Sequence, residues 1–329
     1  MELKGKRVLI TGAGGFIGSH LVERLIKEEC NIRVFLRYNS EGKIGRLEEL
    51  PAEDLNKIEI FRGDLSNFDI VKKSIKGVDI IFHLGALISI PYSYENPREY
   101  IKTNTIGTLN ILEAAKEEKV KKVIITSTSE VYGTALYSPI DEKHPLQAQS
   151  PYAASKIAAD KIAESFYKSF DVPVSIIRPF NNYGPRQSMR AVIPTIIYQA
   201  LTKEKVKMGS LEPKRDFLYV EDNVDGYIRI AKSDDVTGEV INIGTGRTTS
   251  IGEIVDMVRE LIGKNFEVET DKNKIRPEKS EVKLLICDNS KAKERIGWEP
   301  KTSLRDGLKK TIEYIQKNID FYNQEEGLK

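Results

Sequence analysis

Tyr152 and Lys156 stand four residues apart, so a helix through them presents both on one face, a turn from each other. Ser150 is a good N-cap for that helix and Pro151 suits its first position. An ammonium beside a phenol favours the phenolate, and a nicotinamide cation would add to the effect. Tyr152 is therefore expected to act as a base near neutral pH. This spacing is common by chance, and its company decides the reading. Thr128, Ser129 and Glu130 follow an apolar run at Val123–Ser127, which is where a parallel sheet presents its ligands. Two hydroxyls and a carboxylate there extend the pair from simple proton exchange to a second acid–base step.

A second constellation lies near the start of the chain. Gly12, Gly15 and Gly18 sit between an apolar run at Arg7–Thr11 and an amphipathic stretch that opens with Phe16 and Ile17. Glycines at a strand–turn–helix junction let backbone N–H groups approach a pyrophosphate at the helix N-terminus. The expected ligand is a nicotinamide dinucleotide. Where an NAD site usually carries a carboxylate, at the end of the second strand, this chain reads Leu36-Arg37-Tyr38-Asn39-Ser40. Arg37 suits a 2′-phosphate, with Asn39 and Ser40 adding hydrogen bonds, so NADP is favoured over NAD. Asp64, ending the third strand, suits either the adenine amino group or the cap of the following helix.

These residues need a frame to hold them. Short β-branched runs alternate with amphipathic stretches through Pro179, a pattern that implies parallel strands joined by crossover helices. The expected fold is α/β: a doubly wound Rossmann sheet over residues 1–178, and a smaller α+β substrate domain over 179–329 with segments near 220–250 returning to the sheet. Trp298 reads as packing under a C-terminal turn, and His83 as a structural strand-end residue near the cofactor. His20 and His144 have no assigned role.

Composition narrows the function classes. Fifty-one Lys and Arg against 49 Asp and Glu leave a formal charge of +2, which gives no electrostatic case for a nucleic-acid or anionic-membrane partner. No run approaches the ~20 apolar residues of a membrane span. The two cysteines, Cys30 and Cys287, form neither a disulfide framework nor a CxxC metal site, and no other cluster has metal-ligand spacing. A cytoplasmic enzyme without a metal is the expectation.

Taken together, Gly12-x-x-Gly15-x-x-Gly18, Thr128 and Tyr152-x-x-x-Lys156 resemble the extended short-chain dehydrogenase/reductase family that works on nucleotide sugars. The resemblance runs the whole chain, through Arg178-Pro179-Phe180-Asn181-Asn182-Tyr183-Gly184-Pro185-Arg186, Arg215-Asp216-Phe217 and Asn242-Ile243-Gly244. Thr128-Ser129-Glu130 is similar to the tripeptide of the 4,6-dehydratases and of the UDP-glucuronate decarboxylases, and unlike that of the 4-epimerases. Longer stretches, among them Ser89–Tyr94, Pro139–Leu146, Arg190–Thr195 and Arg276–Glu281, look like the N-acetylhexosamine 4,6-dehydratases of the legionaminic-acid type.

That resemblance implies a UDP- or GDP-linked N-acetylhexosamine as substrate. Tyr152, Thr128 and Lys156 would oxidise C4, and Glu130 would remove the C5 proton. Ser129 stands where the dTDP-glucose dehydratases have an aspartic acid, so Glu130 would handle both protons. It also implies cofactor contacts from Gly12, Gly15, Phe16, Ile17, Gly18, Arg37, Asn39, Ser40, Asp64, Leu65, Leu84, Ala86, Tyr152, Lys156 and Pro179. Asn181, Arg186, Arg215 and Arg276 would surround the nucleotide diphosphate, and the chain would form a homodimer through two helices. The rival readings are a 4-epimerase, a UDP-glucuronate decarboxylase and a non-enzymatic dinucleotide sensor, which would have no need of the four catalytic residues together.

Overall fold

The computed structural model describes residues 1–271 and 277–327. Its centre is a seven-stranded sheet. Six strands come from the first half: β1 (Arg7–Thr11), β2 (Asn31–Arg37), β3 (Ile58–Gly63), β4 (Ile80–His83), β5 (Lys122–Thr126) and β6 (Val174–Pro179). Four short strands follow: β7 (Asn181–Tyr183), β8 (Lys205–Met208), β9 (Lys214–Arg215) and β10 (Phe217–Tyr219). The seventh strand of the sheet is β11 (Val240–Ile243), which lies beside β6 with Val240 opposite Ile176. The order is β11-β6-β5-β4-β1-β2-β3, and every pairing in it is parallel. This is the α/β Rossmann-type sheet expected from the alternating pattern.

Its central strands are buried on both faces, which is why they read as unbroken apolar runs rather than as alternation. The order reverses between β1 and β4, so the carboxyl ends of β1, β4, β5 and β6 open onto one crevice. The helix Val220–Lys232 packs on the first helix, Phe16–Lys27, and β11 extends the sheet. The chain therefore returns to the first layer after leaving it.

The remaining elements build a second core. The helices Val192–Thr202, Ile251–Ile262 and Leu304–Lys317 pack through Ile193, Ile196, Ile197, Ile254, Val258, Leu308 and Ile315. Around them lie three two-stranded pieces: β7 with β10, β9 with β12 (Thr249–Ser250), and β8 with β13 (Glu267–Thr270). Trp298 is fully buried and its indole N–H donates to the Asp222 carbonyl at 2.9 Å. Both cysteines are free thiols. Among the described residues no helix is long and apolar enough to cross a membrane, and no group of three or more His, Cys, Asp or Glu is arranged to hold a metal ion.

Candidate active site

The crevice floor is built from the ends of four strands. β1 runs into the glycine turn, where Gly12 has φ +70° and a Cβ on it would stand 2.8 Å from Gly85 N. A Cβ on Gly18 would meet Gly12 O at 2.2 Å. Both glycines are thus required for the turn to close. Gly15 differs: it is exposed, and an added Cβ would meet only Gly12 O, at 3.2 Å, leaving its outer face open. It is the N-cap of the helix Phe16–Lys27, makes no side-chain cap, and has no acidic residue in the first turn. An uncapped helix end with open backbone N–H groups is a fit for a pyrophosphate. Leu65 walls the far side: its carbonyl accepts Asn110 Nδ2 at 2.7 Å, and its side chain approaches Gly85. Leu84 and Ala86, half-buried on the loop after β4, and Pro179 at the end of β6 complete the rim.

The loop after β2 departs from expectation. Asn39 closes its amide onto its own loop, donating one N–H to the Lys43 carbonyl at 2.8 Å and accepting Lys43 N–H at 2.9 Å, which leaves one amide N–H uncommitted. Arg37 and Ser40 are exposed. Asp64 serves its own turn, taking Ser66 N–H and Ser66 Oγ–H on one oxygen at 2.8 and 2.7 Å. The helix cap proper is Asn67. Those hydrogen bonds lower the Asp64 pKa, and the Lys102 and Arg37 charges lower it further. Arg37 therefore already has a carboxylate in its field.

On the other side of the crevice, Ser150 accepts Ala153 N–H at 3.1 Å and starts the helix Pro151–Phe170, which carries Tyr152, Lys156 and Asp160 on one face. Thr128 caps the single 3-10 turn Ser129–Tyr132 by accepting Glu130 N–H at 3.2 Å, and its hydroxyl also hydrogen-bonds the Tyr152 phenol. One threonine thus joins the turn that bears Ser129 and Glu130 to the helix that bears Tyr152. Ser129, Glu130, Tyr152 and Lys156 are all buried. Lys156 donates to the Thr126 carbonyl at the end of β5. Burial brings its pKa down to about 8, with Asp160 opposing.

The Tyr152 phenol is a correction. Burial pushes its pKa well above the ordinary value, the Thr128 hydrogen bond works against that, and Glu130, Tyr100 and Asp160 add to the rise. The Lys156 ammonium is engaged by Thr126 instead of lowering it.

Supporting residues missed in the sequence hold this geometry. Asp160 Oδ2 accepts Ser127 Oγ at 2.7 Å and Arg178 Nε and Nη2 at 3.1 and 2.9 Å, and Arg178 Nη1 donates to the Tyr132 phenol at 2.8 Å. Asn104 comes from a π-helical turn, Ile101–Ile106; its Nδ2 donates to Leu87 O and Ser155 Oγ, both at 2.9 Å. Tyr100 lies edge-on to Tyr152 with ring centroids 6.2 Å apart. Asp160 had a sequence signal in its place four residues after Lys156, and Arg178 in the motif it opens, but neither showed its partner.

The expected substrate residues divide. Asn181 has a buried side-chain oxygen with no partner, which is what a ligand-binding amide leaves behind. Arg215 is buried and donates to Glu281 at 3.3 Å. Arg186 is turned instead toward the first layer, paired with Glu23 at 3.2 Å and Glu49 at 3.3 Å, so the geometry gives no support to its diphosphate role. Arg276 lies outside the described residues.

The model of the GDP-mannose 4,6 dehydratase family matches residues 9–311. This chain belongs to that family. It is 37% identical over 312 residues to UDP-glucuronic acid decarboxylase 3 of Arabidopsis thaliana, covering 92% of this chain and 86% of that one. Among solved structures, the dTDP-glucose 4,6-dehydratase of Streptomyces venezuelae with NAD bound superposes with a TM-score of 0.88 at 26% identity, covering 97% of this chain and 99% of the other. The UDP-glucuronic acid 4-epimerase of Bacillus cereus, with UDP-glucuronic acid and NAD, gives 0.86 at 30% identity, covering 95% and 99%. The family thus spans dehydratases, epimerases and decarboxylases of nucleotide sugars. Both of these neighbours hold NAD, so the NADP preference expected from Arg37, Asn39 and Ser40 finds no support in them.

Proposed function

We propose that this family member is a nucleotide-sugar 4,6-dehydratase, converting a UDP- or GDP-linked N-acetylhexosamine to its 4-keto-6-deoxy form with NAD as resident cofactor. The observation that carries the reading is Glu130, a buried carboxylate on the turn whose Glu130 backbone N–H donates to Thr128 Oγ1, the same hydroxyl that hydrogen-bonds the Tyr152 phenol. A 4-epimerase needs no base for C5; a dehydratase does. Bound NAD supplies the hydride acceptor for C4 and the donor for C6. Thr128 and Tyr152 hold the sugar 4-hydroxyl, and Tyr152 takes its proton. Glu130 then removes the acidified C5 proton and returns it to the departing 6-hydroxyl, which Ser129 steadies by a hydrogen bond; as C6 takes its hydride, C5 takes up the proton that Tyr152 removed from the 4-hydroxyl. One water is lost and the reaction is redox-neutral overall.

A second reading has one observation in its favour. The charge of Arg190 reaches Tyr100 and opposes the burial that raises that phenol's pKa. Tyr100 stands edge-on to Tyr152, and a cation in its field suits a C6 carboxylate, and hence decarboxylation of a nucleotide uronic acid. Proton NMR of the purified protein with UDP-GlcNAc, GDP-GlcNAc and UDP-glucuronate, each in turn, separates the two. A new C6 methyl doublet beside a 4-keto or hydrated-keto signal is the expected result and names the nucleotide. Loss of the carboxyl carbon from UDP-glucuronate, or a 4-epimer with C6 unchanged, would remove Glu130 from the dehydratase role.

The enzyme is proposed to work in the cytoplasm, in keeping with its two unpaired thiols. It is also proposed to be a homodimer. Support for the dimer comes from exposed Ile101, Ile106 and Phe170 along the two helical stretches that flank the site. A monomer in light scattering at working concentration would remove that claim.

A further inference from the structure

The glycine turn is latched from behind. Gly14 O accepts Arg46 N–H at 2.9 Å, and Gly45, at φ +67°, passes so close that a Cβ on it would stand 2.4 Å from Gly14 O. A Cβ on Gly14 would in turn meet Ile44 O at 2.7 Å. The turn Gly45–Glu49 and the pyrophosphate loop are therefore in backbone contact, and what holds one holds the other.

What holds that turn comes from the far end of the chain. The Arg46 guanidinium lies 3.7 Å from the ring centroid of Phe321, on the last helix, Ile319–Gly327, and donates to Glu49 at 3.1 Å. Glu49 accepts the Tyr314 phenol at 2.7 Å and pairs with Arg186 at 3.3 Å, while Arg186 also reaches Glu23 on the first helix. The Arg46 side chain itself is only 12% exposed, while its partners Glu49 and Phe321 lie at the protein surface.

We infer that this clasp retains the dinucleotide, with Arg46 and Phe321 as positioning residues that act through the Gly14 loop without touching the cofactor. The inference rests on the dinucleotide reading of the glycine turn. It suits a reaction that returns its hydride within each cycle, because such an enzyme gains nothing by exchanging cofactor. Arg186, expected from the sequence to meet the substrate, has its place in this clasp.

The test compares full-length wild type with Phe321→Ala and Arg46→Met, which keeps the stem and removes the charge. Each protein is loaded with NAD, and release is followed after gel filtration by the bound-nucleotide content over time, alongside the melting temperature without NAD. Release should quicken roughly fourfold in both variants, the scale of a cation–π contact on an exposed ring, and Arg46→Lys should recover part of the loss. Release within twofold of wild type, even with a lowered melting temperature, would reduce the clasp to ordinary packing and overturn the inference. Wild type that retains no NAD or NADP at all would overturn the dinucleotide reading itself, and the clasp with it.

Discussion

His83 is held between two threonines whose other hydrogen bonds dictate its charge. Gly85 N–H donates to Thr11 Oγ1 at 2.9 Å, which leaves the Thr11 hydroxyl proton for His83 Nδ1 at 2.8 Å. Thr108 gives its own proton to the Asn104 carbonyl at 2.6 Å, so its oxygen accepts from His83 Nε2 at 3.1 Å. Both contacts specify the neutral ring with its proton on Nε2. A second proton would force the Thr11 hydroxyl to turn its own proton away from His83, in a site with 2% exposure and the Lys156 charge nearby. Burial first, and then Lys156, bring the pKa down to about 3 from 6.5.

That depression is a stability term. Above pH 6.5 the ring is neutral folded or unfolded, and its contribution is complete. Below 6.5 the unfolded chain takes up a proton that the native protein refuses, so stability falls by about 1.4 kcal/mol per pH interval until about pH 3. At pH 5 the loss is about 2 kcal/mol. His83→Gln can accept from Thr11 and donate to Thr108 without titrating. Urea unfolding of both proteins at pH 7 and pH 5 should show wild type losing about 2 kcal/mol more than the variant across that interval. His20, whose pKa burial lowers to about 4, is present in both and cancels. Equal losses, within about 0.5 kcal/mol, would refute the neutral ring and the hydrogen-bond directions behind it.

Three further outcomes bear on the reaction. Glu130→Gln should slow formation of the 6-deoxy product by roughly 10²- to 10⁴-fold, the usual worth of a general base, while bound NAD is still reduced by substrate at 340 nm; unchanged product formation would reassign the base. With Lys156 at about 8, kcat/KM should decline as pH rises through that value, because the charged form is lost. Lys156→Arg, which keeps its proton, should move that limb upward, and an unmoved limb would locate the titration elsewhere. Titration calorimetry should find NAD bound at least as tightly as NADP. Arg37→Asp should then weaken NADP more than about tenfold and NAD by far less, and equal losses would show that Arg37 meets no 2′-phosphate.

The sheet and the two motifs were legible in the sequence because each is a local pattern: an apolar run, a glycine spacing, an i,i+4 pair on a capped helix. Even the return of β11 to the sheet left a trace, in the β-branched run at Val240–Ile243. Partners were not legible. Arg186 reads the same whether it meets a phosphate or Glu23, which lies 163 residues away, and Asn39 reads the same whether its amide is free or closed onto Lys43. His83 shows the converse: its neutrality depends on Thr11, Gly85, Thr108 and Asn104, contributed by three separate stretches of chain.

The same limit applies to the choice of reaction. Thr128, Tyr152 and Lys156 oxidise C4 in every reading, and the fate of the resulting 4-ketone depends on where Glu130 stands relative to C5 and whether a cation faces C6. Those are distances between elements, which a tripeptide does not carry. Within the fold, Thr128 ties Glu130 to Tyr152 whichever sugar enters, whereas Arg190 is an exposed side chain on a loop of the second core. Changing Arg190 should therefore shift which C6 group is accepted while leaving C4 oxidation intact, since it touches neither Thr128 nor Lys156.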